Sequence, residues 1–105
     1  MALVMPCYNE EEILPSTLET VNSFLSELKS KGKISERSFA LYVDDGSADN
    51  TWPIIEAYAV THDSCSGLKL AGNAGHQNAM LAGMLEVASH VDCLVSLDAD
   101  LQDDI

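Results

Sequence analysis

Four short apolar runs, Ala2 to Met5, Phe39 to Val43, Leu68 to Ala71 and Val91 to Leu97, alternate with segments whose apolar residues recur at helical spacing. No other feature constrains the fold as tightly. Strands apolar at successive positions are buried on both faces, which requires parallel pairing, right-handed crossovers and helices covering the sheet. The first run is expected to stop at Pro6. Glu10, Glu11, Glu12 and Pro15 then mark a helix start, and Leu14, Leu18, Val21, Leu25 and Leu28 form its apolar stripe as far as Gly32. A second helix, capped by Asp49 or Asn50 and with Pro53 in its first turn, buries Ile55, Tyr58 and Ala59. A third takes Met80, Leu81, Met84, Leu85 and Ala88 as its apolar side. The expected architecture is α/β: an open, mostly parallel sheet of about four strands flanked by helices. Ser30 to Ser38 is the one extended linker.

With 105 residues the chain makes a single domain, and 47% hydrophobic content is enough for a core. Its 17 acidic and 5 basic residues leave a net charge of −12. Nucleic acid and anionic membrane surfaces both need a basic footprint, so neither is expected as the main partner. No apolar stretch approaches the roughly 18 residues of a spanning helix. The first basic residue is Lys29, so a signal peptide's positive amino-terminal region is missing and a cytoplasmic location is expected. Cys7, Cys65 and Cys93 are odd in number and far apart, and are expected to be reduced core residues.

Ligands of open α/β sheets sit outside the carboxyl ends of the strands. Every polar cluster here follows a strand: Tyr8-Asn9-Glu10, Asp44-Asp45-Gly46-Ser47, Asn73 to Gln77, and Asp98 to Asp104. Together they imply one pocket rich in carboxylates, suited to a hard cation. Asp98 and Asp100 are two apart, so continued strand geometry would place both on one side, where they could share a divalent ion with the Gln102 amide oxygen. Asp44 to Ser47 also reads as a turn leading into a helix, yet two adjacent carboxylates after an apolar strand suit a ligand, and Asp45 is the candidate acceptor for a base N–H or ribose hydroxyl. Tyr8 could flank a nucleobase. Gly72, Asn73 and Gly75 could let backbone approach a ligand, while His76 reads as a capping or packing histidine rather than a catalyst.

Pro6-Cys7-Tyr8-Asn9-Glu10-Glu11, Val43 through Thr51, Asn73-Ala74-Gly75-His76-Gln77 and Asp98-Ala99-Asp100-Leu101-Gln102-Asp103 resemble, in order and spacing, the nucleotide-sugar half of family 2 glycosyltransferases with the GT-A fold. The group of polyprenyl-phosphate glycosyltransferases is the most similar. The resemblance implies a Rossmann-like nucleotide-binding half, with Pro6, Tyr8, Glu10, Val43, Asp45 and Asp98 at the nucleotide. It also implies Asp98, Asp100 and Gln102 at Mg²⁺ or Mn²⁺, and donor-loop contacts from Asn73, Gly75 and His76. A nucleoside diphosphate sugar is the implied donor, and a lipid phosphate such as polyprenyl phosphate the implied acceptor. A parent protein would then be membrane-associated on the cytoplasmic face. Where related sequences often carry a basic residue, this chain has Gly72. Because the chain stops just past the metal motif, it is expected to be an amino-terminal fragment that lacks the acceptor side, does not turn over and tends to self-associate through its last strand.

Two other functions fit parts of the pattern. A receiver-like phosphoacceptor domain would bind Mg²⁺ through its carboxylates, but the acidic pair follows the second strand rather than the first, and no Lys follows a late strand. A sugar nucleotidyltransferase needs a glycine-rich basic loop after the first strand, where Tyr8-Asn9-Glu10-Glu11-Glu12 is acidic. A non-enzymatic scaffold is the remaining alternative.

Overall fold

A computed structural model of the chain describes residues 2–71, 75–87 and 94–96. Within them strands and helices alternate as β1 (Ala2–Cys7), α1 (Leu14–Ser30), β2 (Phe39–Asp44), α2 (Thr51–Thr61), β3 (Cys65–Lys69), α3 (His76–Val87) and β4 (Leu94–Ser96). The sheet runs β3-β2-β1-β4, and every pairing is parallel. The expected open α/β sheet is therefore present. After β3 the chain crosses to the far side of β1, so the order of strands reverses between β1 and β4. Such a reversal opens a crevice at the carboxyl ends of those two strands.

Side-chain alternation divides the core in two. Leu3, Met5 and Cys7 of β1, with Ala40 and Tyr42 of β2, face one way and meet Leu14, Leu18, Val21 and Leu25 of α1 and Ile55 of α2. Ala2, Val4, Leu41 and Val43 face the other way, toward Ala79, Met80 and Met84 of α3. Each Leu or Val buried in this way stabilises the fold by roughly 1.5–3 kcal/mol over an exposed one. The stripe on α1 packs as its spacing predicts. Cys7 and Cys65 are buried free thiols. Burial first, then the Glu10 and Asp44 charges, push the Cys7 thiol up to about 12, and burial pushes Cys65 up to about 11. Both stay protonated and unreactive at neutral pH. Cys93 lies outside the described residues.

Three expectations need correction. β1 does not stop at Pro6 but continues to Cys7. Because the Cys7 carbonyl accepts the Asp45 N–H at 2.9 Å, alternation turns the backbone of Pro6 to the opposite side. There the described ladder with β4 covers only Ala2 to Val4, so the missing N–H breaks no described bond. β3 is Cys65–Lys69, earlier than Leu68 to Ala71. As an edge strand it alternates in burial rather than forming an apolar run. A Cβ at its Gly67 would lie 2.8 Å from Ile55 Cγ2 and 3.0 Å from Trp52 Cζ3, so α2 closes directly on backbone there. On α3, Leu81 and Leu85 are 53% and 69% exposed, whereas Ala79 is fully buried. The helix seats its small residues, not its leucines, against the sheet. No described helix is long and apolar enough to cross a membrane.

Candidate functional site

The carboxyl ends of β1 and β2 feed two loops that are bonded to each other. Asn9 N–H donates to Ser47 Oγ at 2.9 Å, and Ala48 N–H donates to Asn9 Oδ1 at 2.8 Å. Glu10 N–H donates to Thr51 Oγ1 at 2.9 Å, and Glu11 N–H to Asp49 Oδ2 at 3.2 Å. The same Asp49 takes the Thr51 N–H at 2.9 Å and its hydroxyl at 2.5 Å through Oδ1. Asp49 thus caps α2, as its position suggests, while Asn50 makes no side-chain cap. Ser47 and Asp49 read in the sequence as turn and cap residues; the structure adds their reach across to the first loop. The only available signal was a set of short acceptor side chains following two strand ends.

These bonds determine what the front of α1 can bind. Successive N–H groups before a helix are a ready anion cradle, but here those of Asn9, Glu10 and Glu11 are consumed by Ser47, Thr51 and Asp49. Asn9, Glu10, Glu11, Glu12, Ile13 and Asp49 line a cleft of about 210 Å³. Its carboxylates repel phosphate. The loop between β1 and α1 therefore offers phosphate no backbone cradle at these three positions, which disfavours a nucleotidyltransferase's triphosphate loop there.

Burial raises the pKa of the Asp49 carboxyl, but hydrogen bonds from the Thr51 hydroxyl and from the Thr51 and Glu11 N–H groups outweigh it and leave the pKa below the ordinary 3.8. A carboxylate whose pKa is depressed in the folded state stabilises it fully above 3.8, and that contribution is lost as pH falls through the folded value. The Glu11 and Thr51 amide proton shifts should accordingly titrate together in NMR with a midpoint below 3.8. A midpoint at or above 3.8 would remove Asp49 as their acceptor.

At the carboxyl end of β2, Asp44 and Asp45 are 0% and 3% exposed. Asp44 Oδ1 accepts the Ser47 N–H at 3.2 Å, and its buried Oδ2 has no hydrogen-bond partner among the described residues. Asp45 Oδ2 accepts the N–H of Gly75 at 3.1 Å, which ties the loop before α3 to β2. Gly75 has φ +92, a conformation open to glycine. Tyr8, half-exposed, follows the last residue of β1, and Glu10 begins the turn into α1 by accepting the Ile13 and Leu14 N–H groups. Pro6 and Val43 are register partners one rung before the end of the β1–β2 ladder, and the Val43 side chain packs under α3. His76 is the first residue of α3.

The structure thus brings Pro6, Tyr8, Glu10, Val43, Asp45 and Gly75 to one end of the sheet. Asn73, Asp98, Asp100 and Gln102 lie outside the described residues. Among the described residues no group of three or more His, Cys, Asp or Glu side chains could hold a metal ion. The sequence-assigned set of two carboxylates and an amide supplies only hard oxygen donors, which suits Mg²⁺ or Mn²⁺.

The sequence matches the profile of glycosyl transferase family 2 over residues 2–105. It is 44% identical over its whole length to an uncharacterized glycosyltransferase, YkoT, of Bacillus subtilis strain 168, covering 31% of that protein. It is 42% identical over 97% of its length to the undecaprenyl-phosphate 4-deoxy-4-formamido-L-arabinose transferase of Shewanella sediminis, covering 29% of that protein. The chain therefore spans about a third of the length of these curated relatives. Among solved structures, TarS of S. aureus in complex with UDP superposes with a TM-score of 0.72 at 20% identity, over 94% of this chain and 27% of that one.

Proposed function

Because the chain belongs to glycosyl transferase family 2, we propose that it is the donor-binding half of a metal-dependent, inverting glycosyltransferase. That enzyme moves a sugar from a nucleoside diphosphate sugar to a polyprenyl phosphate. The observation that carries this reading is the convergence of Tyr8, Glu10 and the buried Asp45 at the crevice end of β1 and β2, in a chain whose family match covers nearly every residue. Tyr8 flanks the base and the Asp45 carboxylate accepts a base N–H or ribose hydroxyl, with Pro6 and Val43 below. In this reading Asn73, Gly75 and His76 contact the donor, Gly75 being held by Asp45, and Asp98 meets the diphosphate.

Asp98, Asp100 and Gln102 would hold Mg²⁺ or Mn²⁺, which when bound neutralises charge developing on the departing diphosphate. An acceptor phosphate oxygen attacks the anomeric carbon as the diphosphate leaves, and one displacement inverts that centre. The lipid-phosphate acceptor is supported by the undecaprenyl-phosphate relative; the cytoplasmic face of a membrane is the location this reading assigns to a full-length enzyme.

Calorimetric titration of the chain with UDP and GDP, each with and without Mn²⁺, tests the reading. One nucleotide should bind, more tightly with Mn²⁺, and amide shifts should change around Tyr8 and Asp45. Binding of neither nucleotide, both to this chain and to a protein of the relatives' full length, would overturn it.

A further inference from the structure

Building on the nucleotide reading above, we propose that Asn9 is a positioning residue that holds Tyr8 and Asp45 at the spacing a base requires. Among the described residues Asn9 is the one non-glycine with positive φ, at 51°, a conformation that Asn adopts more readily than other side chains. That conformation lets one residue face the second loop twice. Its N–H is fixed on Ser47 and its Oδ1 on the Ala48 N–H.

Those bonds close a ring around Tyr8. On one side of Tyr8 the Cys7 carbonyl is held by the Asp45 N–H. On the other, Asn9 is held by Ser47, whose own N–H is held by Asp44 Oδ1, and Asp44 leads directly back to Asp45. The Tyr8 backbone is therefore pinned to the β2–α2 loop at both neighbours while the residue itself stays half-exposed. Asn9 and Ala48 are exposed, so their bond buries little and contributes more to loop geometry than to stability. With the amide oxygen removed, the turn at residues 46–48 loses its tether and the aromatic ring and the Asp45 carboxylate lose their mutual register. Binding then has to supply the ordering that the free protein now provides.

The test compares Asn9→Gly, which keeps the positive φ but removes the acceptor, with Asn9→Asp, which keeps both. Each is titrated with UDP and GDP in the presence of Mn²⁺ and melted thermally. The nucleotide that the wild type binds should bind Asn9→Gly about tenfold more weakly or worse, with a melting temperature within a few degrees of the wild type. Asn9→Asp should restore binding to within about threefold. A folded Asn9→Gly with undiminished affinity, or an Asn9→Asp as impaired as Asn9→Gly, overturns the proposal. Should Asn9→Gly fail to fold, Ser47→Ala carries the same expectation, and undiminished affinity there overturns it equally. A wild type that binds neither nucleotide refutes the nucleotide reading itself, a different result from wild-type binding that the variants leave untouched.

Discussion

Adding one methyl group at Gly83 is expected to destabilise the chain by about 1–3 kcal/mol, the range of overpacked cores. Gly83→Val should cost more. A Cβ there would stand 2.6 Å from Val4 Cγ1 and 2.7 Å from Val43 Cγ2, on the sheet face that α3 covers. Ala in place of a mid-helix Gly ordinarily gains about 1 kcal/mol from backbone entropy, so a loss would show that contact distance outweighs propensity at this position. Leu81→Ala and Leu85→Ala on the same helix should change stability by no more than about 0.5 kcal/mol, because both side chains are largely exposed. Urea unfolding midpoints of the four variants test the set. A Gly83→Ala as stable as the wild type would mean that α3 can move away from β1 and β2, and the close approach would lose its significance.

The second large effect is on chemistry. In a full-length protein, Asp98→Ala combined with Asp100→Ala should reduce sugar transfer by at least about 10²–10³-fold, the usual result of removing charge stabilisation from a transition state. The N–H groups of Asn9 to Glu11 are spent and the cleft beside them is acidic, so the loop between β1 and α1 offers the diphosphate no competing seat at those positions. A double variant within tenfold of the wild-type rate would remove these carboxylates from metal binding and leave the diphosphate without its assigned partner.

Much of the architecture was legible because burial on two faces leaves an unambiguous mark. Ala40 and Leu41, or Met5 and Val4, are apolar at adjacent positions because α1 and α2 lie on one side and α3 on the other. The α1 stripe was equally plain. The errors fall where that logic weakens. β3 is an edge strand whose residues alternate, so its start at Cys65 produced no run. The leucines of α3 outscore Ala79 and Gly83 in hydropathy, yet the smaller pair sits against the sheet, because close approach of helix to strand favours absence of side chain over apolar surface. Among candidate site residues, Tyr8, Glu10 and Asp45 draw attention in the sequence because polar residues just after a buried strand stand out. The bonds of Asn9, Ser47, Asp49 and Thr51 do not, since a short polar residue in a loop looks the same whether it caps its own turn or reaches a segment some forty residues away.

The position of β1 bears on how the molecule is made. Of the described strands β1 comes earliest in the chain, yet it lies inside the sheet, meeting Phe39 on one side of Ala2 and Leu94 on the other. β2 and β3 can dock soon after synthesis, but the second edge of β1 stays open until the chain has been translated as far as β4. Pairing across so long an interval is slow to close, and an apolar strand waiting with one edge unpaired is vulnerable to other chains in the same state. Yield of the folded protein should therefore depend on how quickly translation delivers β4.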